Sequence, residues 1–218
     1  MLNKPIFITG IGTGVGKTLV SAIVTEALGA DYWKPVQAGF EDGTDTIAVK
    51  ELLSNPQSIV HDELYKLKTP ASPHIAARID GITINNTSIQ EKATTILQQI
   101  GSKPLVIEGA GGLLVPLTET EMVADLITLL NAKVILVSRN YLGSINHSLL
   151  TAAYCRSKGI DVAGWIFNDD YMNYETEIVK WSGYPSLGSI PKLGTINQTI
   201  IREQANRLSS SLTEIIKR

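Results

Sequence analysis

Short runs of apolar residues alternate along this chain with longer segments in which apolar residues recur every three or four positions. The short runs are typical of strands and the longer segments of helices. Several runs are continuous in Val, Ile and Leu, which indicates strands that are buried on both faces. The predicted strands cover 5–9, 31–36, 104–108, 133–138, 162–168 and 186–190. The predicted helices cover 17–28, 45–53, 88–100, 121–131, 144–158, 172–182 and 197–217.

This alternation predicts an α/β fold, with one mostly parallel sheet flanked by helices and a single domain over residues 1–218. Ligands of such folds bind at the carboxyl ends of the strands, so candidate residues are sought directly after each strand. The stretch 54–87 is the least regular, because it holds breaker pairs such as Asn55-Pro56 and Asp80-Gly81. We interpret it as an excursion that carries a short helix near 73–79.

Composition and net charge indicate which kinds of binding partner are not expected. The chain has 218 residues, 44% of them hydrophobic, and a formal net charge of −2 without a basic run, so neither nucleic acid nor a membrane surface is an expected partner. No apolar stretch reaches the length of a membrane span, and the N-terminus leads directly into the first strand, so we expect no signal peptide. The single Cys155 excludes an internal disulfide and is compatible with a cytoplasmic protein.

A glycine-rich stretch, Gly10–Thr18, lies between the first strand and the first helix. Such a turn directs backbone N–H groups at a phosphate chain, and the helix N-terminus favours negative charge. In the P-loop pattern Lys17 reaches the β- and γ-phosphates and Thr18 binds Mg²⁺. The leading glycine of that pattern is displaced to Gly10, because position 11 is Ile11. We therefore predict a nucleotide site of the P-loop NTPase type.

The glycine-rich stretch has two other possible interpretations, a dinucleotide-binding turn and a turn that binds no ligand. A Rossmann dinucleotide turn also has closely spaced glycines, but it has no use for the Lys17-Thr18 pair, and no acidic residue closes a following strand at the usual offset. A turn without any ligand is the simplest alternative, and the strand–turn–helix context argues against it.

Four further polar residues follow predicted strands or open the next helix. Lys34 ends the second run and is either a second cation over a transferred phosphoryl group or a solvated lysine. Thr44 or Asp45 is an N-cap of the next helix, unless Asp45 is a Mg²⁺ ligand. Glu108 follows three apolar residues at a strand end, and it is either a Walker-B-like acid or a strand-terminating residue in a flexible turn. We favour the Walker-B-like acid, because the apolar run places Glu108 at the ligand-bearing edge of the sheet. Asn168 is either a turn residue or a reader of adenine through its paired donor and acceptor.

The three histidines predict neither a catalytic triad nor a zinc site. His61 and His74 lie in the irregular region, and His147 lies in the first turn of a predicted helix. None has a nucleophilic or acidic partner at a convincing spacing. Ser144 is a plausible N-cap of that same helix, whose N-terminus suits a carboxylate.

The ordered set of motifs resembles the dethiobiotin synthetase family over nearly the whole chain. The motifs are Thr9-Gly10 with Thr13 and Gly16-Lys17-Thr18, Lys34-Pro35-Val36, Thr69-Pro70-Ala71-Ser72-Pro73-His74, Glu108-Gly109-Ala110-Gly111-Gly112, Leu142-Gly143-Ser144-Ile145-Asn146-His147, Ala163-Gly164-Trp165 with Asn168-Asp169, and Gly188-Ser189-Ile190-Pro191. The resemblance implies an ATP- and Mg²⁺-dependent ring closure of 7,8-diaminononanoate with CO₂ or bicarbonate. In that family a carbamate attacks the γ-phosphate of ATP, and the second amine then closes the ureido ring.

The resemblance also implies roles for particular residues. The catalytic residues would be Lys17 and Lys34. The nucleotide would contact Gly14, Val15, Gly16, Lys17, Thr18, Leu19, Glu108, Gly109, Ala110, Gly111, Asn168, Asp169, Pro191, Lys192 and Leu193. The substrate would contact Thr13, Lys34, Ala38, Gly143, Ser144 and Asn146. The metal would bind Thr18, Asp45 and Glu108. A homodimer is implied, in which Gly143–Asn146 serves the neighbouring subunit's site.

The chain departs from the family at three positions. Gly12 and Gly14 stand where family loops often have acids, and Ala38 stands where a hydroxyl is common. The alternative of a MinD/ParA-like ATPase switch with a protein partner predicts a signature lysine, but that position is Gly12. A small-molecule kinase would need lid arginines, and only Arg78 and Arg139 lie near candidate sites.

Overall fold

The structure is a computed structural model that describes residues 3–41 and 43–217. Met1, Leu2 and Arg218 belong to the predicted domain of 1–218 but lie outside the described residues. Asp42, which precedes the second predicted helix in the sequence, also lies outside them.

A seven-stranded sheet forms the centre of the described chain, and all of its paired strands are parallel. The strands in the described residues are β1 Ile6–Gly10, β2 Asp31–Trp33, β3 Val36–Ala38, β4 Val60–His61, β5 Tyr65–Leu67, β6 Leu105–Gly112, β7 Lys133–Arg139, β8 Val162–Asn168 and β9 Ser186–Ile190. The order in the sheet is β4-β2-β6-β1-β7-β8-β9, while β3 and β5 pair separately. The predicted α/β class is confirmed.

Helices cover both faces of this sheet. They are α1 Lys17–Leu28, α2 Asp45–Leu52, α3 Pro73–Asp80, α4 Asn86–Ile100, α5 Val123–Leu129, α6 Ser144–Ser157, α7 Glu175–Ser182 and α8 Gln198–Lys217, with a short 3-10 turn over Tyr171–Asn173. No helix in the described part of the chain combines the length and the apolar content needed to cross a membrane.

The core has two halves because successive strand residues point to opposite faces. In β1, Phe7 packs into the half covered by α3 to α7, whereas Ile6 and Ile8 pack into the half covered by α1, α2 and α8. In β6, Ile107 belongs to the first half and Val106 to the second. Burial on both faces explains why these strands are apolar throughout.

The predicted strand over 31–36 is wrong beyond its third residue. β2 ends at Trp33, and β3 starts at Val36 in a different sheet. Pro35 has no N–H to donate, so the ladder cannot continue through it. Its carbonyl instead accepts hydrogen bonds from the N–H groups of Leu64 and Tyr65, at 3.1 and 3.0 Å. The break leaves Lys34 in a turn at the carboxyl edge of the main sheet.

Other boundaries shift by a few residues. β6 continues past Glu108 to Gly112, so the glycine-rich loop that was predicted there begins as strand. The predicted helix 121–131 is confined to α5, and the helix predicted from 172 begins with the 3-10 turn. The irregular region contains the expected helix, α3, together with the short strands β4 and β5, which were not predicted.

Candidate functional site

The glycine-rich turn joins β1 to the N-terminus of α1. Gly14 and Gly16 have φ values of 73° and 93°, in the left-handed region that favours glycine. No side chain caps α1, and its first turn holds no acidic residue. Its first N–H groups are therefore available to an anion, as the P-loop prediction requires.

Lys17 folds back over this turn. Its Nζ atom donates a hydrogen bond to the carbonyl oxygen of Gly12 at 2.9 Å, and the residue is only 7% exposed. Burial lowers the pKa of Lys17 from 10.5 to about 8. The negative charge of Glu108 partly opposes this decrease, while the positive charge of Lys34 adds to it. The ammonium group thus lacks a full counter-charge in the ligand-free protein.

Parallel strand pairing brings Lys34 to Glu108. Trp33 in β2 pairs with Ile107 in β6, so the next residue of each strand lies at the same carboxyl edge. Lys34 is 5% and Glu108 1% exposed, and the Lys34 Nζ atom lies 3.0 Å from Glu108 Oε1. The same Nζ atom lies 2.5 Å from Asp45 Oδ2. The interpretation of Lys34 as a solvated lysine is therefore wrong.

The Thr18 hydroxyl lies between the same two carboxylates. Its Oγ1 atom donates to Asp45 Oδ1 at 2.6 Å and lies 3.1 Å from Glu108 Oε1. Neighbouring ligands around Mg²⁺, each about 2.1 Å from the metal, lie about 3.0 Å apart. One hydroxyl and two carboxylates at this spacing fit a magnesium site that is completed by phosphate and water oxygens.

Charge pairing controls the protonation of this cluster. Burial raises the pKa of Asp45, but Lys34 and the Thr18 hydroxyl lower it more, so the net shift is downward. Burial lowers the pKa of Lys34, but Glu108 and Asp45 raise it more. Lys34 and Asp45 therefore stabilise each other's charged form despite their burial.

Tyr32 reaches Glu108 from the core side. Its hydroxyl donates to Glu108 Oε2 at 3.0 Å, and the tyrosine is fully buried. Burial, followed by the charge of Glu108, raises the pKa of Tyr32 well above its ordinary value. No role for this residue follows from the sequence, because it stands inside an apolar run.

Local hydrogen bonds hold Asp45 at the start of α2. Thr44 is the N-cap, and its Oγ1 atom accepts from the N–H of Ile47 at 3.2 Å. The Gln37 side chain accepts from the N–H of Asp45 at 3.3 Å and donates to the carbonyl of Gly39 at 2.9 Å. Thr44 thus takes the capping role, which leaves the Asp45 carboxylate free to face Thr18.

A cleft of about 600 Å³ opens beside these groups. The predicted site residues in its lining are Thr13, Gly14, Gly16, Lys17, Thr18, Lys34, Ala38, Asp45, Glu108, Ala110 and Gly111. Its other lining residues had no role predicted from the sequence; they are Val36, Gln37, Pro70, Ala71, Ser72, Pro73 and Val115. The only signal for 70–73 was their place in the family motif, since turn signals alone assign no chemistry.

Asn168 lies against the glycine-rich turn. Its Nδ2 atom donates to the carbonyl of Val15 at 3.0 Å, and a Cβ atom at Gly16 would lie 2.2 Å from that nitrogen. This close approach is a second reason for glycine at position 16. Asp169 and Pro191 line a smaller cavity of about 210 Å³ at the same edge of the sheet.

Other predicted residues do not line the main cleft of the single chain. They are Val15, Leu19, Gly109, Gly143, Ser144, Asn146, Asn168, Asp169, Pro191, Lys192 and Leu193. The prediction that Ser144 caps α6 is wrong, because Gly143 is the N-cap. The Ser144 hydroxyl accepts from the N–H of Tyr141 at 3.3 Å and so closes the preceding turn.

One histidine has an acidic partner that its sequence spacing did not indicate. His61 Nε2 lies 3.1 Å from Asp31 Oδ2, because β4 pairs with β2. This pair lies at the start of β2, the opposite end from Lys34. Among the described residues, no group of three or more His, Cys, Asp or Glu side chains is arranged to hold a metal. The cluster around Thr18 contains only two such side chains.

Comparisons with known proteins agree on the class of protein. A family model described as an AAA domain matches residues 4–200. A protein of Christiangramia forsetii named ATP-dependent dethiobiotin synthetase BioD is 47% identical over 98% of this chain and 100% of its own. A protein of Cytophaga hutchinsonii with the same name is 49% identical over 94% of this chain and 97% of its own.

Solved structures share the fold at low identity. A ParA family ATPase from Chlorobium tepidum has a TM-score of 0.59 and 13% identity, and the match covers 100% of this chain and 94% of that one. MinD from Pyrococcus horikoshii, solved with Mg-ADP, has a TM-score of 0.57 and 15% identity, covering 98% and 96%. These likenesses concern the fold alone.

The low pKa of Lys17 predicts that this residue destabilises the ligand-free protein. Below pH 8 Lys17 is charged in both states, and the folded state bears the desolvation cost. Between pH 8 and 10.5 the unfolded state holds more protons, so this contribution to stability rises with pH. A shift of this size corresponds to about 3 kcal/mol. Lys17→Met should therefore raise the free energy of unfolding at pH 7 by about 1–3 kcal/mol.

Urea unfolding at pH 7 and at pH 9.5 measures this difference. The increase in the free energy of unfolding caused by Lys17→Met should be smaller at pH 9.5. At that pH most of the folded wild-type protein has a neutral Lys17, which no longer bears the desolvation cost of a charge. The exposed Lys92→Met, on α4, is the control and should change stability at neither pH. A destabilised Lys17→Met protein at pH 7 would contradict the prediction.

Proposed function

The chain belongs to the family of ATP-dependent dethiobiotin synthetases, and from this premise we propose how its cleft carries out the family's reaction. The protein is an ATP-dependent ligase of biotin biosynthesis that forms carbon–nitrogen bonds. The observation that carries the residue assignment is the convergence of Lys17, Thr18, Lys34, Asp45 and Glu108 at one cleft.

The reaction places several negative groups close together. One amine of 7,8-diaminononanoate adds to CO₂ and loses a proton, which gives a carbamate. A carbamate oxygen then attacks the γ-phosphorus of ATP, and ADP leaves. The second amine attacks the carbonyl carbon, the ureido ring closes, and phosphate is expelled. Each step requires the reacting groups to be held in line while their charge is neutralised.

The glycine-rich turn and Lys17 would hold the phosphate chain. The uncapped N-terminus of α1 directs N–H groups at the β-phosphate region, and Lys17 leaves the Gly12 carbonyl to contact the β- and γ-phosphates. Contact with an anion supplies the counter-charge that Lys17 lacks. Its charged form is then stabilised where negative charge accumulates.

Lys34 would be the second cation, opposite Lys17. It lines the same cleft as Ala38 and Ser72. From there its ammonium group neutralises the carbamate as that group attacks the γ-phosphate. Thr13, in the same lining, would contact the diamine. Ser72 would supply the hydroxyl that Ala38 lacks.

Thr18, Asp45 and Glu108 would hold Mg²⁺. Their oxygen spacing and charge suit this ion, as described above. When bound, Mg²⁺ supplies positive charge to the phosphate oxygens.

Asn168 would face the adenine edge, with Asp169 and the segment Pro191–Leu193 beside it. Asn168 ends β8 and contacts the glycine-rich turn, while Asp169 follows β8 and residues 191–193 follow β9. An amide offers both the donor and the acceptor that adenine requires. Gly109, Val15 and Leu19 would complete the nucleotide site through the backbone.

We further propose that the chain forms one functional domain, acts in the cytoplasm and works as a homodimer. Gly143 and Asn146 lie outside the cleft lining of a single chain, so their proposed contact with the substrate carboxylate requires a neighbouring subunit. Leu142 and Leu150 flank this segment and are 81% and 61% exposed. An interface would cover these apolar side chains.

Turnover should require both the diamine and bicarbonate. We expect phosphate release from ATP only when 7,8-diaminononanoate and bicarbonate are both present, with dethiobiotin detected by mass spectrometry. ATP hydrolysis that is indifferent to the diamine, with no dethiobiotin formed, would refute the ligase assignment.

Removing the charge of Lys34 should reduce catalysis strongly, and it should also lower the stability of the protein by several kcal/mol because Glu108 loses its buried cation. We expect Lys34→Met to lower kcat about 10²- to 10³-fold, the usual effect of losing one preorganised charge-stabilising group. The exposed Lys92→Met is the matched control and should keep wild-type turnover. Circular dichroism melting checks that both variants are folded, and near-full turnover of a folded Lys34→Met enzyme would remove Lys34 from the mechanism.

A charge at the proposed interface should separate the subunits. Light scattering should give twice the chain mass for the wild type, and Leu150→Glu should shift the population towards monomers. The KM for the diamine should then rise about tenfold, while the KM for ATP stays nearly constant because the nucleotide site lies within one chain. Ile79→Glu, an exposed position on α3, is the control. A fully active wild-type monomer would exclude the shared site.

A further inference from the structure

Tyr32 has no role in the reaction described above, yet it contacts the cluster directly. Its hydroxyl donates to Glu108 Oε2 at 3.0 Å, and the whole residue is inaccessible to solvent. A strictly structural tyrosine would be expected to bond to the backbone or to water. Here the partner is a carboxylate of the candidate metal site.

Strand pairing explains how Tyr32 reaches this carboxylate. Tyr32 pairs with Val106, and both side chains lie in the core half that α1 covers. Glu108 is two residues beyond Val106, so it points to the same face of the sheet. The long ring of Tyr32 spans the distance between these two positions. A shorter side chain at position 32 would not carry a hydroxyl to Glu108.

The two oxygens of Glu108 consequently have different surroundings. Oε2 accepts the Tyr32 hydroxyl on the core side. Oε1 lies 3.0 Å from the Lys34 ammonium and 3.1 Å from the Thr18 hydroxyl, on the cleft side. Without the Tyr32 donor, a buried Oε2 would lack a partner, and rotation of the carboxylate towards Lys34 would satisfy it.

We propose that Tyr32 is a positioning residue, which turns one oxygen of Glu108 towards the core so that the carboxylate offers Oε1 alone to Mg²⁺. This inference rests on the proposed function, because it takes Glu108 as a metal ligand. Hydrogen-bonded partners of ligands commonly govern metal affinity in this way.

Binding of ADP with and without Mg²⁺ tests the proposal. Calorimetry without diamine and bicarbonate measures ADP affinity in EDTA and then along a Mg²⁺ titration. In Tyr32→Phe we expect the Mg²⁺ concentration that half-maximally tightens ADP binding to rise about tenfold, as for other partners of metal ligands. ADP affinity in EDTA should stay within about twofold of wild type, because the glycine-rich turn is unchanged.

Tyr65→Phe is the matched control. It also removes one tyrosine hydroxyl, which here accepts a hydrogen bond from the N–H of Asn85, away from the cluster. Its Mg²⁺ dependence should equal that of the wild type. A Glu108→Gln background gives a second test, since Tyr32→Phe should cause no further change in Mg²⁺ dependence when the carboxylate is absent.

Three outcomes would overturn the proposal. An unchanged Mg²⁺ dependence in Tyr32→Phe would show that the hydroxyl does not act on the metal site. Equal weakening of ADP binding in EDTA would show a general structural role. The same tenfold change in the Glu108→Gln background would show that Tyr32 does not act through Glu108. The ligase assignment is judged separately, by phosphate release and dethiobiotin formation.

Discussion

A buried lysine held between two carboxylates is the contact on which the site depends. Lys34 lies 3.0 Å from Glu108 and 2.5 Å from Asp45. Burial of Glu108 without a cation would cost several kcal/mol, and burial of Lys34 alone would as well. The three residues come from the turn after β2, from β6 and from the start of α2. The end of β2, the strand β6 and the start of α2 must therefore lie close enough for these three side chains to contact one another.

The backbone around Lys34 is adapted to this requirement. Pro35 ends the pairing of β2 directly after the lysine, and its carbonyl is used by the chain before β5. Gln37, two residues later, accepts from the N–H of Asp45. One short segment thus supplies the cation, ends a strand and positions a carboxylate. Asn168 also has two roles, since it ends β8 and its side-chain amide donates a hydrogen bond to the carbonyl of Val15.

Much of this site could be predicted because a parallel sheet gathers its strand ends at one edge. That rule, together with the glycine-rich motif, pointed to Lys17 and Glu108 and left Lys34 open between a second cation and a solvated lysine. The catalytic role of Lys34 was implied only by the family resemblance. The rule gives no information on contacts between side chains that depend on strand register or on the length of a side chain. Tyr32 stands in an apolar run, and only its diagonal relation to Glu108 shows its use. The contact between His61 and Asp31 likewise required knowledge of strands too short to be visible in the sequence.

The charge balance of the ligand-free site explains why Lys17 and Lys34 are not equivalent. Lys34 already has two anionic partners, which raise its pKa despite burial. Lys17 has only a carbonyl oxygen within hydrogen-bonding distance among its described contacts, and its pKa falls to about 8. Two lysines and two carboxylates sum to no net charge, so a polyphosphate meets no excess repulsion from the cluster. A polyanion in contact with Lys17 would offset this desolvation cost, so part of its binding free energy would come from supplying the counter-charge that Lys17 lacks.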